Sequence, residues 1–113
     1  MPDLFTVTDA YHGVQVRLEE STWYRHVLQG HPNMATHLED AKRALTDPCA
    51  VLSSKHYPDR LLYHYALPLR GGLYVRVVVR MRQDRDGAVV AGIVMTSFVT
   101  DTIGGGEVEW LPR

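Results

Sequence analysis

The chain has 113 residues, of which 45% are hydrophobic and 22% charged, and its formal net charge is −1 at pH 7. These values predict one globular domain with a modest core, and the charge argues against a generic nucleic-acid coat. The single cysteine, Cys49, excludes an internal disulfide and a multi-cysteine zinc site. No apolar run has membrane-spanning length and residues 1–9 lack a signal-peptide pattern, so we expect a cytoplasmic protein without a membrane partner.

The first part of the chain predicts a β-hairpin and a short helix. The segments "LFTVT" and "VQVRL" are typical of strands, and the turn between them contains Asp9 and Gly13. Ser21 is expected to cap a helix from Thr22 to Gln29, which stops at Gly30.

A second helix is predicted to begin near Pro32, whose missing N–H needs no partner in a first turn, and to end at Asp47-Pro48. One apolar stripe of this helix should face the core, and it consists of Met34, Leu38, Ala41 and Leu45.

The second half of the chain has the two-residue period of strands. Four segments show it: "AVLS", "RLLYHYAL", "GLYVRVVVRMR" and "AVVAGIVMTSFV". Short connections, among them the hairpin dipeptide Asp86-Gly87, make neighbouring strands antiparallel. We therefore predict one α+β domain over residues 1–113: a short N-terminal β-hairpin, two helices, then a mainly antiparallel four-stranded sheet covered by the helices on one face.

Basic charge is concentrated in this second half. Residues 60–85 contain six arginines and one aspartate, a local charge of +5. In the strand from Leu73 to Arg82 the alternation predicts a core face of Leu73, Val75, Val77, Val79 and Met81. The opposite face then carries Tyr74, Arg76, Val78, Arg80 and Arg82. This face is either a solvated polar surface or a phosphate-binding one, since arginine is favoured where phosphate is held in a fixed geometry.

Histidines are the other candidates for chemistry. His26, His31 and His37 lack the spacing and the additional ligands of a metal site, so we expect no metal and no cofactor. His31 lies at the corner between the predicted helices, just before the N-terminus of the second, where an anion would be stabilised. It is either a corner residue or a functional one, and His26 is either a packing residue or a functional one.

A smaller group of residues could bind or position a nucleic acid. His64, between Tyr63 and Tyr65, could belong to a base-stacking surface or simply fill the sheet. The hydroxyls of Thr96 and Ser97 could orient a phosphate or satisfy the backbone at a strand end.

The order of the motifs resembles that of a known family. It runs "WYRHVLQGHP", a helix ending in "DP", a "YHY" strand, "LYVRVVVR", and "VMTSF" followed by "TIGGGEVEW". This order, over residues 14–110, is similar to the nuclease-like domains of the barnase–EndoU–colicin–RelE (BECR) group found in phage and mobile-element proteins. The resemblance implies metal-independent RNA cleavage, with the family's His-Pro histidine at His31, its strand arginine at Arg76 and its terminal hydroxyl at Thr96 or Ser97.

Two departures from the family pattern bear on activity. Asn33 stands where members often have an acidic residue after His-Pro, and Ser97 stands where the closing motif often has alanine. The missing acid removes one candidate base.

Three hypotheses follow. The first is a metal-independent endoribonuclease, such as the toxin of a toxin–antitoxin pair, with catalytic His31, Arg76, Thr96 and Ser97 and with substrate-binding Arg80, Arg82, Tyr63, Tyr65, His64 and His26. The second is an inactive module of the same fold that binds RNA or a protein. The third is a small-ligand or structural domain. The expected partners are RNA and a cognate antitoxin or immunity protein, and the chain could be a monomer or a homodimer.

Overall fold

Residues 2–112 fold, in the computed structural model of the protein, into an α+β arrangement of two helices and one mixed seven-stranded sheet. The elements in chain order are β1 (Asp3–Thr8), β2 (Gln15–Glu19), helix α1 (Glu20–Thr22, Trp23–Val27 and Leu28–Gly30), a 3-10 helix (Pro32–Thr36), helix α2 (Leu38–Thr46), β3 (Ala50–Ser54), β4 (Arg60–Ala66), β5 (Tyr74–Gln83), β6 (Val89–Thr100) and β7 (Gly106–Trp110). Across the sheet the strands follow the order β1-β2-β6-β5-β4-β3-β7.

The sheet is larger than the four antiparallel strands predicted. Strands β3 to β6 do run antiparallel to one another. The N-terminal hairpin, however, joins the same sheet, because β2 pairs in parallel with β6 at Val16–Gly92 and Arg17–Ile93. Strand β7 adds to the other edge by antiparallel pairing with β3. These two pairings join segments that are distant in the chain, so no local sequence pattern predicts them.

The helices differ from the prediction at their boundaries. Helix α1 begins at Glu20 without a side-chain cap, and the Glu20 amide donates to the carbonyl of Pro2, so the predicted Ser21 cap was wrong. Its central turn, Trp23–Val27, is π-helical, and it ends at Gly30 as predicted. The predicted second helix is divided at His37 into the 3-10 helix and α2. No helix among residues 2–112 is both long enough and apolar enough to cross a membrane.

Both helices pack on one face of the sheet. The β5 side chains Val75, Val77, Val79 and Met81 are buried there, which confirms the predicted core face of this strand. From the helical layer Trp23, Val27, Met34, Ala41 and Leu45 are buried against them, so the predicted apolar stripe also faces the core. We call the opposite surface of the sheet the open face. It carries Tyr74, Arg76, Val78, Arg80 and Arg82 of β5.

A buried polar contact fastens the β1–β2 turn to the sheet. Asp9 is 2% exposed and accepts hydrogen bonds from the Tyr63 hydroxyl and from the backbone amides of His12 and Val14. Gly13 adopts φ +69° in this turn, a conformation that favours glycine. Burial, and next the bond to Asp9, raise the pKa of Tyr63, so its hydroxyl remains a donor.

Residues 101–105, which we call the crossover segment, connect β6 to β7 at the far edge of the sheet. Since β5, β4 and β3 lie between these strands, the segment crosses the sheet, and its contacts with Arg76 and Leu62 place it on the open face. The passage is close, because a Cβ built on Gly105 (φ +90°) would lie 3.4 Å from Cδ1 of Leu62. Gly104 and Gly105 thus belong to this crossing, and Gly106 begins the edge strand β7.

Candidate functional site

One end of the open face carries a row of side chains from four neighbouring strands. Ala50 pairs with His64, His64 with Arg76, and Arg76 with Phe98. Directly paired residues project from the same face of a sheet, so these four side chains lie side by side. The row therefore joins Arg76 and His64, two candidates from the sequence, to Phe98, which the sequence did not single out.

His31 reaches this row from the junction between α1 and the 3-10 helix. Its amide donates to the Val27 carbonyl at 2.7 Å, and its carbonyl accepts from the Met34 amide at 3.0 Å. Val27 and Met34 are fully buried, so the backbone of His31 is held from both sides. The ring makes no capping hydrogen bond, is partly exposed, and lies 5.2 Å from Phe98 between ring centroids.

Arg76 contacts the same aromatic ring as His31. Its guanidinium carbon lies 5.5 Å from the Phe98 centroid. Nε donates to Nε2 of His64 at 2.9 Å, and Nη2 donates to the carbonyls of Thr102 and Gly104 at 3.2 and 3.1 Å. Arg76 therefore holds the crossover segment in place, and within the described residues its Nη1 donates no hydrogen bond. Burial lowers the pKa of Arg76, but a guanidinium stays protonated at neutral pH.

His64 lies beneath Arg76 and is fully buried. Because its Nε2 accepts from Arg76, the neutral ring carries its proton on Nδ1, which has no hydrogen-bond partner among residues 2–112. Burial first, and the charge of Arg76 second, lower the pKa of His64 to about 4. Backbone groups of Ala50 and Leu62 oppose this shift without forming a hydrogen bond to Nδ1. His64 is thus a neutral acceptor that orients Arg76, and it is not accessible to a substrate.

This environment predicts a pH-dependent stability. The folded pKa of about 4 lies below the ordinary 6.5, so the unfolded chain binds more protons between these values and stability falls as the pH is lowered through that window. We expect His64 to account for a loss of up to about 3 kcal/mol between pH 7 and pH 4. Urea unfolding at several pH values should show this loss in the wild type. In His64→Gln, whose amide oxygen can still accept from Arg76, the part of this loss that is due to His64 should be absent. Identical pH profiles of stability in the two proteins would contradict this role of His64.

Thr96 and Ser97 lie on opposite faces of β6. Thr96 pairs with Val78 and lies on the open face, two residues before Phe98. Ser97 pairs with Val77, is 1% exposed, and donates its hydroxyl to the backbone carbonyl of Arg76 at 2.9 Å. Of these two residues, only Thr96 can therefore offer a hydroxyl to a ligand on the open face.

The two tyrosines predicted to stack bases lie on the wrong side of the sheet. Tyr63 pairs with Val77 and Tyr65 with Val75, so both project toward the helices. Tyr63 is fully buried and Tyr65 packs against the core. The reason is the alternation itself: once His64 projects from the open face, both of its neighbours must project from the other.

The remaining histidines do not join the row. His26 is exposed on α1, and Nδ1 of His37 lies 2.8 Å from the Asp40 carboxylate. Among residues 2–112, no three histidine, cysteine or acidic side chains are grouped closely enough to hold a metal ion.

The other end of the open face is basic. Arg80 and Arg82 are exposed there and line a groove of about 650 Å³ together with Arg17 and Asp59. Arg80 pairs directly with Arg60 of β4. Sequence alternation placed Arg80 and Arg82 on one face, but it could not show that Arg60 and Arg17 come from other strands to the same place.

Two parts of the site were not predicted from the sequence: Phe98 and the crossover segment. The alternation of Thr96 and Phe98 could have indicated that they share a face, whereas nothing in the chain shows where residues 101–105 cross.

Comparisons of the chain with models of known protein families, with curated proteins and with solved structures found no match.

Proposed function

We propose that the protein is a metal-independent endoribonuclease whose reacting phosphate is bound on the open face between His31 and Arg76. The observation that carries this proposal is the contact of both side chains with the ring of Phe98. It brings a partly exposed imidazole and a guanidinium to one place, although they belong to a helix corner and a central strand. The motif order of the barnase–EndoU–colicin–RelE group points to the same two residues.

The proposed reaction needs two proton transfers and one cation. The ribose 2′-oxygen attacks the adjacent phosphorus while the bond from phosphorus to the 5′-oxygen breaks, which leaves a 2′,3′-cyclic phosphate and a 5′-hydroxyl. His31, whose imidazole is partly exposed beside Phe98, takes the proton of the 2′-hydroxyl, and water on this open surface supplies the proton for the leaving oxygen. Arg76, through Nη1, stabilises the charge that develops on the phosphate oxygens, and Thr96 orients them.

The bound RNA would extend from this site along the open face. Arg80 and Arg82 lie farther along β5 and supply positive charge for the phosphates that follow. Phe98 offers an aromatic surface for a base next to the reacting phosphate. Ser97, Tyr63, Tyr65 and His64 have no part in this mechanism, because they are buried or project from the other face.

The test is cleavage of a labelled single-stranded RNA in excess EDTA. We expect the wild type to cut it and to leave 2′,3′-cyclic phosphate ends, and we expect His31→Ala to be slower by about 100-fold or more, the contribution typical of a general base. His12→Ala is the matched control, because His12 is an exposed histidine in the β1–β2 turn and lies away from the row. Its rate should equal that of the wild type.

A second candidate function is RNA binding without cleavage. The observation in its favour is that Arg76 already bonds His64 and the crossover segment. Binding that weakens steeply with salt, together with an absence of cyclic phosphate ends, would establish this function in place of the nuclease. Equal cutting by wild type and His31→Ala would remove His31 from the mechanism.

A further inference from the structure

We infer that the open face contains a second anion site, built from Arg60 and Arg80, that binds a phosphate group of a single-stranded RNA away from the reacting phosphate. This inference rests on the proposed function for its ligand, but it is argued from charges that the cleavage site does not use.

The site is a row of arginines from different strands. Arg60 and Arg80 are direct partners on β4 and β5, and Arg80 is also paired with Ile93, whose other partner is Arg17 on β2. We call Arg60, Arg80 and Arg17 the arginine row. All three side chains therefore project from the open face at one level of the sheet.

The charge of this row is only partly compensated. Arg17 lies 3.8 Å from the carboxylate of Asp3 and 3.5 Å from that of Glu19. Within residues 2–112, neither Arg60 nor Arg80 lies within 4.0 Å of a carboxylate oxygen. Like charges directly opposite on neighbouring strands destabilise a sheet. An anion bound between them would remove that repulsion.

The geometry of Arg60 also favours a ligand. Its guanidinium carbon lies 4.0 Å from the ring centroid of Tyr57, so one side of the guanidinium group packs against an aromatic ring. Its Nε is buried and has no hydrogen-bond partner among the described residues. A guanidinium held in this way presents its terminal N–H groups in a fixed direction, and phosphate accepts two such bonds at once.

The position of the row determines the ligand class. Arg80 is four residues from Arg76 on the same strand and face, which corresponds to about 13 Å at a strand rise of ~3.3 Å per residue. The groove of about 650 Å³ at this end is lined by Arg17, Arg80 and Arg82 together with one acidic residue, Asp59. Given the proposed cleavage of RNA at Arg76, the ligand that occupies both sites is an oligonucleotide, and its phosphate at the arginine row belongs to a different nucleotide from the one that is cut.

The first test uses inorganic phosphate and needs no cleavage. The thermal midpoint is measured in sodium phosphate and in sodium chloride at equal ionic strength, so that screening is matched. We expect phosphate to raise the wild-type midpoint by about 5 °C at roughly ten times its dissociation constant. In Arg80→Gln this phosphate effect should be clearly smaller, since only the phosphate site between His31 and Arg76 is left, while the midpoint in chloride stays unchanged or rises because the repulsion is relieved.

Arg85→Gln is the control for the charge change, since Arg85 is exposed in the β5–β6 hairpin and should keep the full phosphate effect. An equal phosphate effect in wild type and Arg80→Gln, or none in either, would overturn the site. Because this experiment is independent of turnover, a protein that binds phosphate here but cuts no RNA would contradict the proposed function and leave the site intact.

The second test applies to RNA cleavage. Arg80→Gln should lower kcat/KM by about tenfold for an oligonucleotide that spans both sites, as expected for the loss of one charge-assisted contact. The loss should be markedly smaller for a dinucleotide, which is too short to reach Arg80 from the cleavage site. A proportional loss on both substrates would show that Arg80 does not bind a distant phosphate.

Discussion

An Arg76→Leu variant is expected to cut RNA about 10³-fold more slowly than the wild type, because the cation that stabilises the phosphate charge is lost. The same change removes three hydrogen bonds, one to His64 and two to the crossover segment. We expect the free energy of unfolding to fall by about 2 to 3 kcal/mol, because each hydrogen bond to a charged group contributes to stability. The loss is reduced in part because the desolvation cost of the Arg76 charge is no longer incurred. Cleavage assays and urea unfolding measure the two effects.

The two roles of Arg76 can be separated. Rates are compared at a temperature where both proteins are folded, and Arg70→Leu, an exposed arginine of the β4–β5 connection, is the matched control. Arg76→Lys keeps the positive charge but not the planar set of N–H donors of the guanidinium. Compared with Arg76→Leu, it should recover part of the cleavage rate and little of the stability. The pKa of His64, followed by NMR, should rise from about 4 when the charge of Arg76 is removed. Wild-type cleavage by a destabilised Arg76→Leu would assign Arg76 a purely structural role.

Asp9→Ala is expected to cause the largest loss of stability, about 3 to 4 kcal/mol. The substitution leaves the Tyr63 hydroxyl and the amides of His12 and Val14 without their acceptor. Tyr63 is fully buried, so water cannot replace the carboxylate at its hydroxyl. Urea unfolding of Asp9→Ala against Asp47→Ala, which removes an exposed aspartate, measures the effect.

A double-mutant cycle checks the cause of this loss. Tyr63→Phe alone removes one of the three donors and should cost about 1 kcal/mol. In the double variant Asp9→Ala/Tyr63→Phe, no phenol is left without an acceptor, so the loss should be smaller than the sum of the single losses by about 1 kcal/mol. Additive losses would show that the two side chains are not coupled. If Asp9→Ala lowered the free energy of unfolding by less than about 1 kcal/mol, solvent would be shown to accept the hydrogen bonds of the turn in place of Asp9.

Local patterns in the chain were sufficient for six of the seven strands and for the buried side of β5, but they did not indicate β7. The alternation from Leu73 to Arg82 correctly assigned Val75, Val77, Val79 and Met81 to the core, because one buried face imposes a strict two-residue period. The apolar stripe of the second helical segment was likewise predicted, although His37 divides that segment. The strand-joining turns at Asp9–Gly13 and Asp86-Gly87 were indicated by their residue types, since Gly13 and Gly87 adopt positive φ.

The sheet edges and the assembly of the candidate site were decided only by the tertiary structure. The alternation in "LYHYA" distinguishes His64 from its two tyrosines, but it does not show which of the two sides is covered by helices. That is decided by the packing of the helices on the face that carries Tyr63. In the same way His31 meets Phe98 only because α1 packs beside β6, and the arginine row exists only because β2, β4 and β5 are brought to one level. The chain sequence by itself thus determined six of its seven strands, its helical segments and the buried faces of β5 and of the second helical segment, because short-range periodicity encodes burial. The tertiary structure decided which charged and aromatic groups meet, because that depends on the register between segments distant in the chain.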